Sequence, residues 1–154
     1  MVRPSTQPQP WLVLYDGDCG LCKWLLAGLL RFDRAERLRP VALQRPEAGA
    51  YLADLDRAEW MTSMHLVSPD GTRASAGEAL PALLRLLSGG RLPAAILARF
   101  PRLTSAGYRW VATHRIGISR FVPRRAKERA AERVRERELE VRTDEPGRSS
   151  STLL

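Results

Sequence analysis

Cys19 and Cys22 are the only thiols of this 154-residue chain, and two residues separate them. Residues three apart lie on one face of a helix, so two such thiols can reach each other. One thiolate can then attack a disulfide, and the second thiol can displace it from the mixed disulfide that forms. The spacing therefore predicts thiol-disulfide exchange, with Cys19 as the nucleophile and Cys22 as the resolving thiol.

A short strand and a helix must position the two cysteines. The apolar run Leu12–Tyr15 is typical of a buried strand, Asp16-Gly17-Asp18 supplies turn residues, and an apolar-periodic segment follows from Cys19. Backbone N–H groups in the first turn of a helix lack partners, and together with the helix dipole they stabilise an anion. A thiolate at Cys19 is such an anion, so the predicted helix start favours its reactive form.

Two carboxylates precede the thiols in the sequence, and each of them has two interpretations. Asp18 precedes Cys19 directly, where its charge disfavours a thiolate and makes the dithiol more reducing. It also fits the N-cap of the helix. Asp16 is a candidate acceptor for the proton of Cys22, and it is equally typical of a turn. We therefore count both aspartates as candidate catalytic residues and leave the structural alternatives open.

The segment Tyr15-Asp16-Gly17-Asp18-Cys19-Gly20-Leu21-Cys22 resembles the signature of the DCC family, named for its Asp-Cys-x-x-Cys motif and described as thiol-disulfide oxidoreductases. The resemblance runs from about Trp11 to Val122. It includes Leu29–Arg34, the strand end Ala42-Leu43-Gln44, and Ser63–Val67 with the Pro69-Asp70-Gly71 turn. The resemblance implies a single thioredoxin-like α/β domain, with a mixed four-stranded sheet, flanking helices and a helical C-terminal extension. It also implies that a substrate protein or small thiol is the partner.

The remaining pattern predicts where the elements lie. Leu38–Leu43 follows a helix and should form a strand parallel to the first, and Pro40 indicates a sheet edge because proline cannot donate to a ladder. The predicted helices are 19–34, 47–57, 79–87, 93–100 and 104–114, and a hairpin is predicted over 63–67 and 72–74. We expect Leu97, Phe100, Leu103, Tyr108, Trp110 and Val111 to pack on the sheet or close over the site.

The predicted domain covers residues 11–122. Before it we expect a disordered lead at 1–10, and after it a basic helix with a disordered tail at 123–154. Arginine and glutamate alternate along Arg124–Arg142 with little apolar content, so this helix should be solvated and should bury no face.

One departure concerns the segment before the third strand. Thioredoxin-like oxidoreductases generally place a cis-proline there, facing the cysteines, whereas residues 58–64 contain no proline. We therefore expect either that substrate is held differently, with Thr62, Ser63 or Met64 at this edge, or that the protein is not a general disulfide exchanger.

Three alternatives stay open at this point. Asp16-x-Asp18 after an apolar strand resembles the opening motif of haloacid-dehalogenase-type phosphatases, although Gly20 replaces their Thr or Val and no later paired acidic motif follows. A zinc site would need His65 and His114, which lack ligand spacing, so we expect no metal and no cofactor. An inert cysteine pair on a binding module with a basic extension is the third alternative.

Composition limits the partners. The net charge is +8 and the pI is about 10.6, values that suggest nucleic acid or an anionic membrane. The basic C-terminal segment mixes acids with its arginines and lacks interleaved aromatic residues, so we expect no nucleic-acid binding. No apolar run approaches the roughly 20 residues of a membrane span, and the first ten residues lack the apolar core of a signal peptide. We therefore expect a cytoplasmic protein; its oligomeric state is not predicted.

Overall fold

A mixed four-stranded sheet forms the centre of the protein in a computed structural model that describes residues 9–143, with side chains as far as residue 138. The strands are β1 (Trp11–Tyr15), β2 (Leu38–Ala42), β3 (His65–Val67) and β4 (Arg73–Ser75). Their order is β2-β1-β3-β4, with β1 and β2 parallel and the other pairs antiparallel. This sheet with its flanking helices confirms the predicted thioredoxin-like α/β fold.

Seven helices lie among the described residues. They are α1 (Gly20–Leu30), α2 (Pro46–Gly49), α3 (Arg57–Trp60), α4 (Ala76–Leu86), α5 (Arg91–Arg99), α6 (Pro101–Ser119) and α7 (Arg124–Thr143). None of the helices within residues 9–143 is long and apolar enough to cross a membrane.

Strand β1 separates two apolar clusters, as alternation along a strand requires. Val13 and Tyr15 pack with residues of α1, α4 and α7 on one face of the sheet. Leu14 packs on the opposite face with Val67 and the loop residue Leu52. Among the described strands, β2 pairs with β1 alone, and Pro40 lies opposite Val13, so the predicted edge position of this proline is confirmed.

The first helix ends earlier than predicted, at Leu30. The reason is Asp33, a fully buried side chain whose two carboxylate oxygens accept the amide protons of Arg37 and Leu38 at 3.0 and 2.9 Å. These bonds turn the chain into β2.

The single helix predicted over Glu47–Arg57 is wrong: the short helices α2 and α3 replace it. Between them, the indole N–H of Trp60 donates to the carbonyls of Leu52 and Leu55, at 2.9 and 3.0 Å. Because these carbonyls accept from a side chain, the chain satisfies them without a continuous helix.

The prediction that the C-terminal helix buries no face is also wrong. Helix α7 packs against α1 and β2, where Ala130 and Val134 are 6% and 1% exposed. The hydroxyl of Tyr15 donates to Glu138 at 3.1 Å, and Arg45 pairs with the same carboxylate at 3.3 Å. Two small apolar residues four apart, together with these polar contacts, therefore attach this highly charged helix. The expectations for residues 1–8 and 144–154 lie outside the described residues.

Candidate active site

Cys19 is the N-cap of α1. Its backbone is extended, with φ −86° and ψ 108°, and its Sγ accepts the amide proton of Cys22 at 3.2 Å. The sulfur thus takes the place that a serine or aspartate oxygen occupies in most helix caps. The alternative in which Asp18 caps this helix is wrong, because Asp18 lies one residue too early and is exposed. Both cysteines are free thiols and half-buried.

The two thiols have different surroundings. Burial raises the pKa of Cys22 from 9.0 to about 12; the hydrogen bond with Cys19 and the negative charges of Cys19 and Asp16 add to the rise. The guanidinium of Arg115 opposes it. Cys22 therefore carries its proton at neutral pH.

Gln44 holds the turn that precedes Cys19. Its Oε1 accepts the amide proton of Gly17 at 2.9 Å, and its Nε2 donates to Asp16 at 2.9 Å and to Asp18 at 3.2 Å. One side chain thus bonds to all three turn residues. A Cβ at Gly17 would lie 2.8 Å from Gln44 Oε1 and 3.1 Å from Ala42 Cβ, so a larger residue there would displace the Gln44 side chain from this hydrogen bond.

The role of Gln44 was not predicted, although the sequence contains a signal for it. Gln44 follows β2, whose carboxyl end lies at the same sheet edge as that of β1 because the two strands are parallel.

Asp16 faces both the turn and the thiols. One carboxylate oxygen accepts the amide proton of Asp18 at 3.0 Å, which is the predicted turn role. The other lies 3.5 Å from Arg115, and the carboxylate is 13% exposed and lines a cavity with Cys22. One oxygen therefore holds the turn, and the other faces Arg115 and the cavity. Among residues 9–143, Asp16 and Asp18 belong to no group of three acidic, cysteine or histidine side chains that could hold the magnesium of the phosphatase alternative.

A cavity of about 120 Å³ lies beside Cys22. Residues of β1, α1, α6 and the segment 61–64 form its wall, and most of them are apolar: Leu21, Leu25, Leu29, Met61, Met64 and Val111. Asp16, Arg115 and Tyr108 add polar groups to this wall. The site can therefore hold an apolar group next to a thiol.

Helix α6 closes the edge before β3, where the sequence lacks a proline. Every peptide bond within residues 9–143 is trans. The amide N–H of Met64 donates to the hydroxyl of Tyr108 at 2.8 Å, while Thr62 and Ser63 line the cavity. Burial raises the pKa of Tyr108, so its phenol stays neutral. The prediction that Tyr108 packs over the site is confirmed; the position of Arg115 beside the thiols was missed, because it depends on how α6 packs on α1.

The two histidines lie in unlike environments. His65 is 1% exposed in β3, where Nδ1 contacts the Ser75 hydroxyl at 2.7 Å and Nε2 contacts the Trp60 carbonyl at 3.2 Å. His114 is exposed on α6 and stacks on Trp110. Within the part of the chain that the structure describes, no three acidic, cysteine or histidine side chains form a group that could hold a metal.

Comparison with known proteins supports the resemblance found in the sequence. The model of the family described as DCC1-like thiol-disulfide oxidoreductase matches residues 13–121, which is more than two thirds of the chain. Searches of curated proteins and of solved structures gave no significant match. The match includes Cys19 and Cys22 with their two-residue spacing. The chain therefore belongs to the DCC1-like thiol-disulfide oxidoreductase family.

Proposed function

We propose that the protein reduces disulfides through a Cys19/Cys22 dithiol in which Cys19 is the nucleophile and Cys22 the resolving thiol. One observation carries this assignment: Cys19 Sγ accepts the amide proton of Cys22 at the start of α1. That bond favours a negatively charged sulfur, whereas burial keeps Cys22 protonated. Because only the thiolate attacks disulfides, Cys19 reacts first.

The reaction has two exchange steps. The Cys19 thiolate attacks one sulfur of a substrate disulfide, forming a mixed disulfide and releasing the other sulfur as a thiolate that takes a proton from water. Cys22 then loses its proton and attacks Cys19 Sγ, which releases the second substrate thiolate. The substrate gains two electrons, and the enzyme is left with a Cys19–Cys22 disulfide. A dithiol or two monothiols must reduce this disulfide before the next turnover.

Asp16 and Arg115 act on the second step. Cys22 cannot attack while it is protonated, and Asp16 is the carboxylate that lines the cavity with it. We assign Asp16 as the acceptor of this proton. Arg115 opposes the rise in the Cys22 pKa and pairs with Asp16, so it favours the Cys22 thiolate at the moment of attack.

The cavity sets the kind of substrate. An apolar group next to the reacting disulfide fits the apolar wall, and Ser63 lies at the edge for polar contacts with the substrate backbone. The Thr62 hydroxyl already donates to the Glu59 carbonyl at 2.7 Å. The Met64 amide already has the hydroxyl of Tyr108 as its partner. Substrate is therefore held through side-chain contacts in the cavity more than through a ladder of backbone bonds.

Trapping the mixed disulfide tests the two cysteine roles. We expect Cys22→Ser to accumulate a covalent adduct with a small disulfide, visible by mass spectrometry, because no thiol resolves it. Cys19→Ser should form no adduct at neutral pH and should have no disulfide reductase activity. Adducts on Cys22 in the Cys19→Ser protein at equal rates would contradict the assignment. Full activity of Cys19→Ser would contradict the dithiol mechanism and favour the binding module.

A further inference from the structure

A long segment of the chain contains no acidic residue. From Ala79 to Lys127 there are nine arginines and one lysine, and the flanking acids are Glu78 and Glu128. The segment forms most of α4, all of α5 and α6, and the start of α7. Much of the positive charge of the chain therefore lies in one continuous segment of the sequence. The segment contains no carboxylate of its own that could neutralise this charge.

The same segment exposes large apolar side chains. The prediction that Phe100, Leu103 and Trp110 pack on the sheet or close over the site is wrong: they are 55%, 71% and 59% exposed. With others on the two helices and the turn after α6, they form what we call the docking surface: Leu92, Ile96, Phe100, Leu103, Trp110, Ile116 and Phe121.

Helix packing explains why these residues lie outside. Helices α5 and α6 both pack on α4 and on each other. In α6 the inward face carries Thr104 and Tyr108, which bond to the Leu97 carbonyl and the Met64 amide. Leu103 and Trp110 are seven residues apart and share the opposite face. Leu103 and Trp110 therefore face away from the body of the protein.

We propose that the docking surface binds the surface of an anionic lipid bilayer. Exposed leucine, isoleucine and tryptophan enter the boundary between headgroups and acyl chains, and the arginines beside them, Arg102 and Arg109 among them, bind the lipid phosphates. Guanidinium groups suit this task because they bind phosphate with two donors and stay charged. A nucleic acid would use the arginines but would leave the aliphatic side chains in water.

Docking would place the thiol site close to the membrane. Helix α6 lines the cavity beside Cys22 with Tyr108 and Arg115 from its inward face. An α-helix with its side chains is about 10–12 Å across, so the cavity would lie about one helix diameter from the docked surface. The inference about docking rests on charge and exposure alone and holds whether or not the dithiol is active.

Sedimentation of the full chain with vesicles tests this proposal. We expect binding to phosphatidylcholine vesicles that contain phosphatidylglycerol, and at least about tenfold weaker binding to phosphatidylcholine alone. Binding to the anionic vesicles should shift Trp110 fluorescence to shorter wavelength, and Trp110→Phe should lose most of that shift.

Matched variants separate the contribution of the arginines from that of the exposed apolar side chains. Arg102→Gln with Arg109→Gln should weaken binding by about tenfold or more, since each arginine near an anionic surface contributes about fivefold. Leu103→Gln with Trp110→Gln should weaken it to a similar extent. The exposed controls Arg34→Gln with Arg129→Gln, and Tyr51→Gln, should bind like the unchanged protein. Circular dichroism checks that each variant is folded.

Two results would overturn the proposal. Equal binding to both vesicle types, including no binding to either, would show that the negative charge of the lipid does not drive binding. Loss of binding in the arginine variant but not in the Leu103/Trp110 variant would show an anion-binding surface that does not enter a bilayer.

Discussion

We expect Cys19 and Cys22 to differ in reactivity because of what each sulfur contacts. Cys19 caps a helix and accepts an amide proton, whereas Cys22 lies one turn further in, beside an apolar cavity. The negative charge of Asp16 raises the pKa of Cys22, and Arg115 lowers it. In the proposed mechanism, the order in which the two thiols react therefore follows from burial and nearby charge.

Alkylation of Cys22 in the Cys19→Ser variant measures this difference. Burial is the largest cause of the raised Cys22 pKa and persists in the variant, although the contributions of Cys19 are lost. We expect the rate with a neutral alkylating reagent to rise continuously from about pH 6 to about pH 10, because the thiolate fraction keeps increasing. At neutral pH it should be at least about tenfold slower than alkylation of Cys19 in Cys22→Ser. A rate that levels off below about pH 9 would contradict the effect of burial.

Gln44 is expected to matter through the turn that it holds. Gln44→Ala removes three hydrogen bonds, each with a net contribution of about 0.5–1.5 kcal/mol, and should lower kcat/KM about threefold to tenfold. Gln44→Glu adds a third carboxylate beside Asp16 and Asp18, which disfavours a thiolate at Cys19, and should lower kcat/KM further. Steady-state kinetics with a small disulfide compare the two variants. Equal activity of Gln44→Glu and unchanged protein would contradict a positioning role.

Helix α7 is the element whose contribution to stability is hardest to predict from the sequence. Val134 is 1% exposed against the core, so Val134→Ala should lower the free energy of unfolding by about 2 kcal/mol. Glu132→Ala changes an exposed residue of the same helix and should alter it by less than about 0.5 kcal/mol. Chemical denaturation of the full chain measures both. Equal stability of the two variants would mean that α7 does not hold the fold together.

Strand β3 carries a buried imidazole that predicts a pH dependence of stability. The Trp60 carbonyl accepts the proton of Nε2, and burial disfavours a second proton on the ring, so Nδ1 accepts from the Ser75 hydroxyl. Burial lowers the pKa of His65 below 6.5 in the folded protein. Below about pH 6.5 the unfolded chain therefore binds a proton that the folded protein does not, and stability falls as pH falls.

Thermal or chemical unfolding between about pH 5 and pH 8 measures this dependence. The slope from His65 is at most about 1.4 kcal/mol per pH unit. It should disappear in His65→Gln and persist in the control His114→Gln, which changes an exposed histidine. A slope that survives in His65→Gln would assign the pH dependence to other groups.

At the scale of the whole molecule, helices added after the four-stranded unit complete the site. Helix α6 contacts α1 and supplies Tyr108 and Arg115 to the cavity, and α7 lies along α1 from its first turn. A Cβ at Gly20 would be 3.2 Å from Cδ of Lys127, so α7 reaches the residue that follows Cys19. The thiols therefore lie in a recess made by three helices.

The parts of this arrangement that depend on local pattern could be predicted. Alternation and turn residues located β1, the sheet edge at Pro40 and the helix start at Cys19. Contacts between distant segments could not be predicted from the sequence, because they depend on tertiary packing. Examples are the bonds of Gln44 to the turn, the position of Arg115 beside Asp16, and the packing of Ala130 and Val134 that helps to attach α7. The exposed face of α6 was predicted to be buried because a stripe of large apolar residues usually marks the core.

The reduction potential of the Cys19/Cys22 couple tests the central claim most directly. The full chain would be equilibrated across a glutathione or dithiothreitol series and its thiols trapped, with Cys19→Ser as the control. We expect a reversible two-electron transition between roughly −120 and −270 mV, the range of known dithiol oxidoreductases, and none in the control. If the two thiols never form a disulfide with each other at any potential in the series, the dithiol mechanism is wrong.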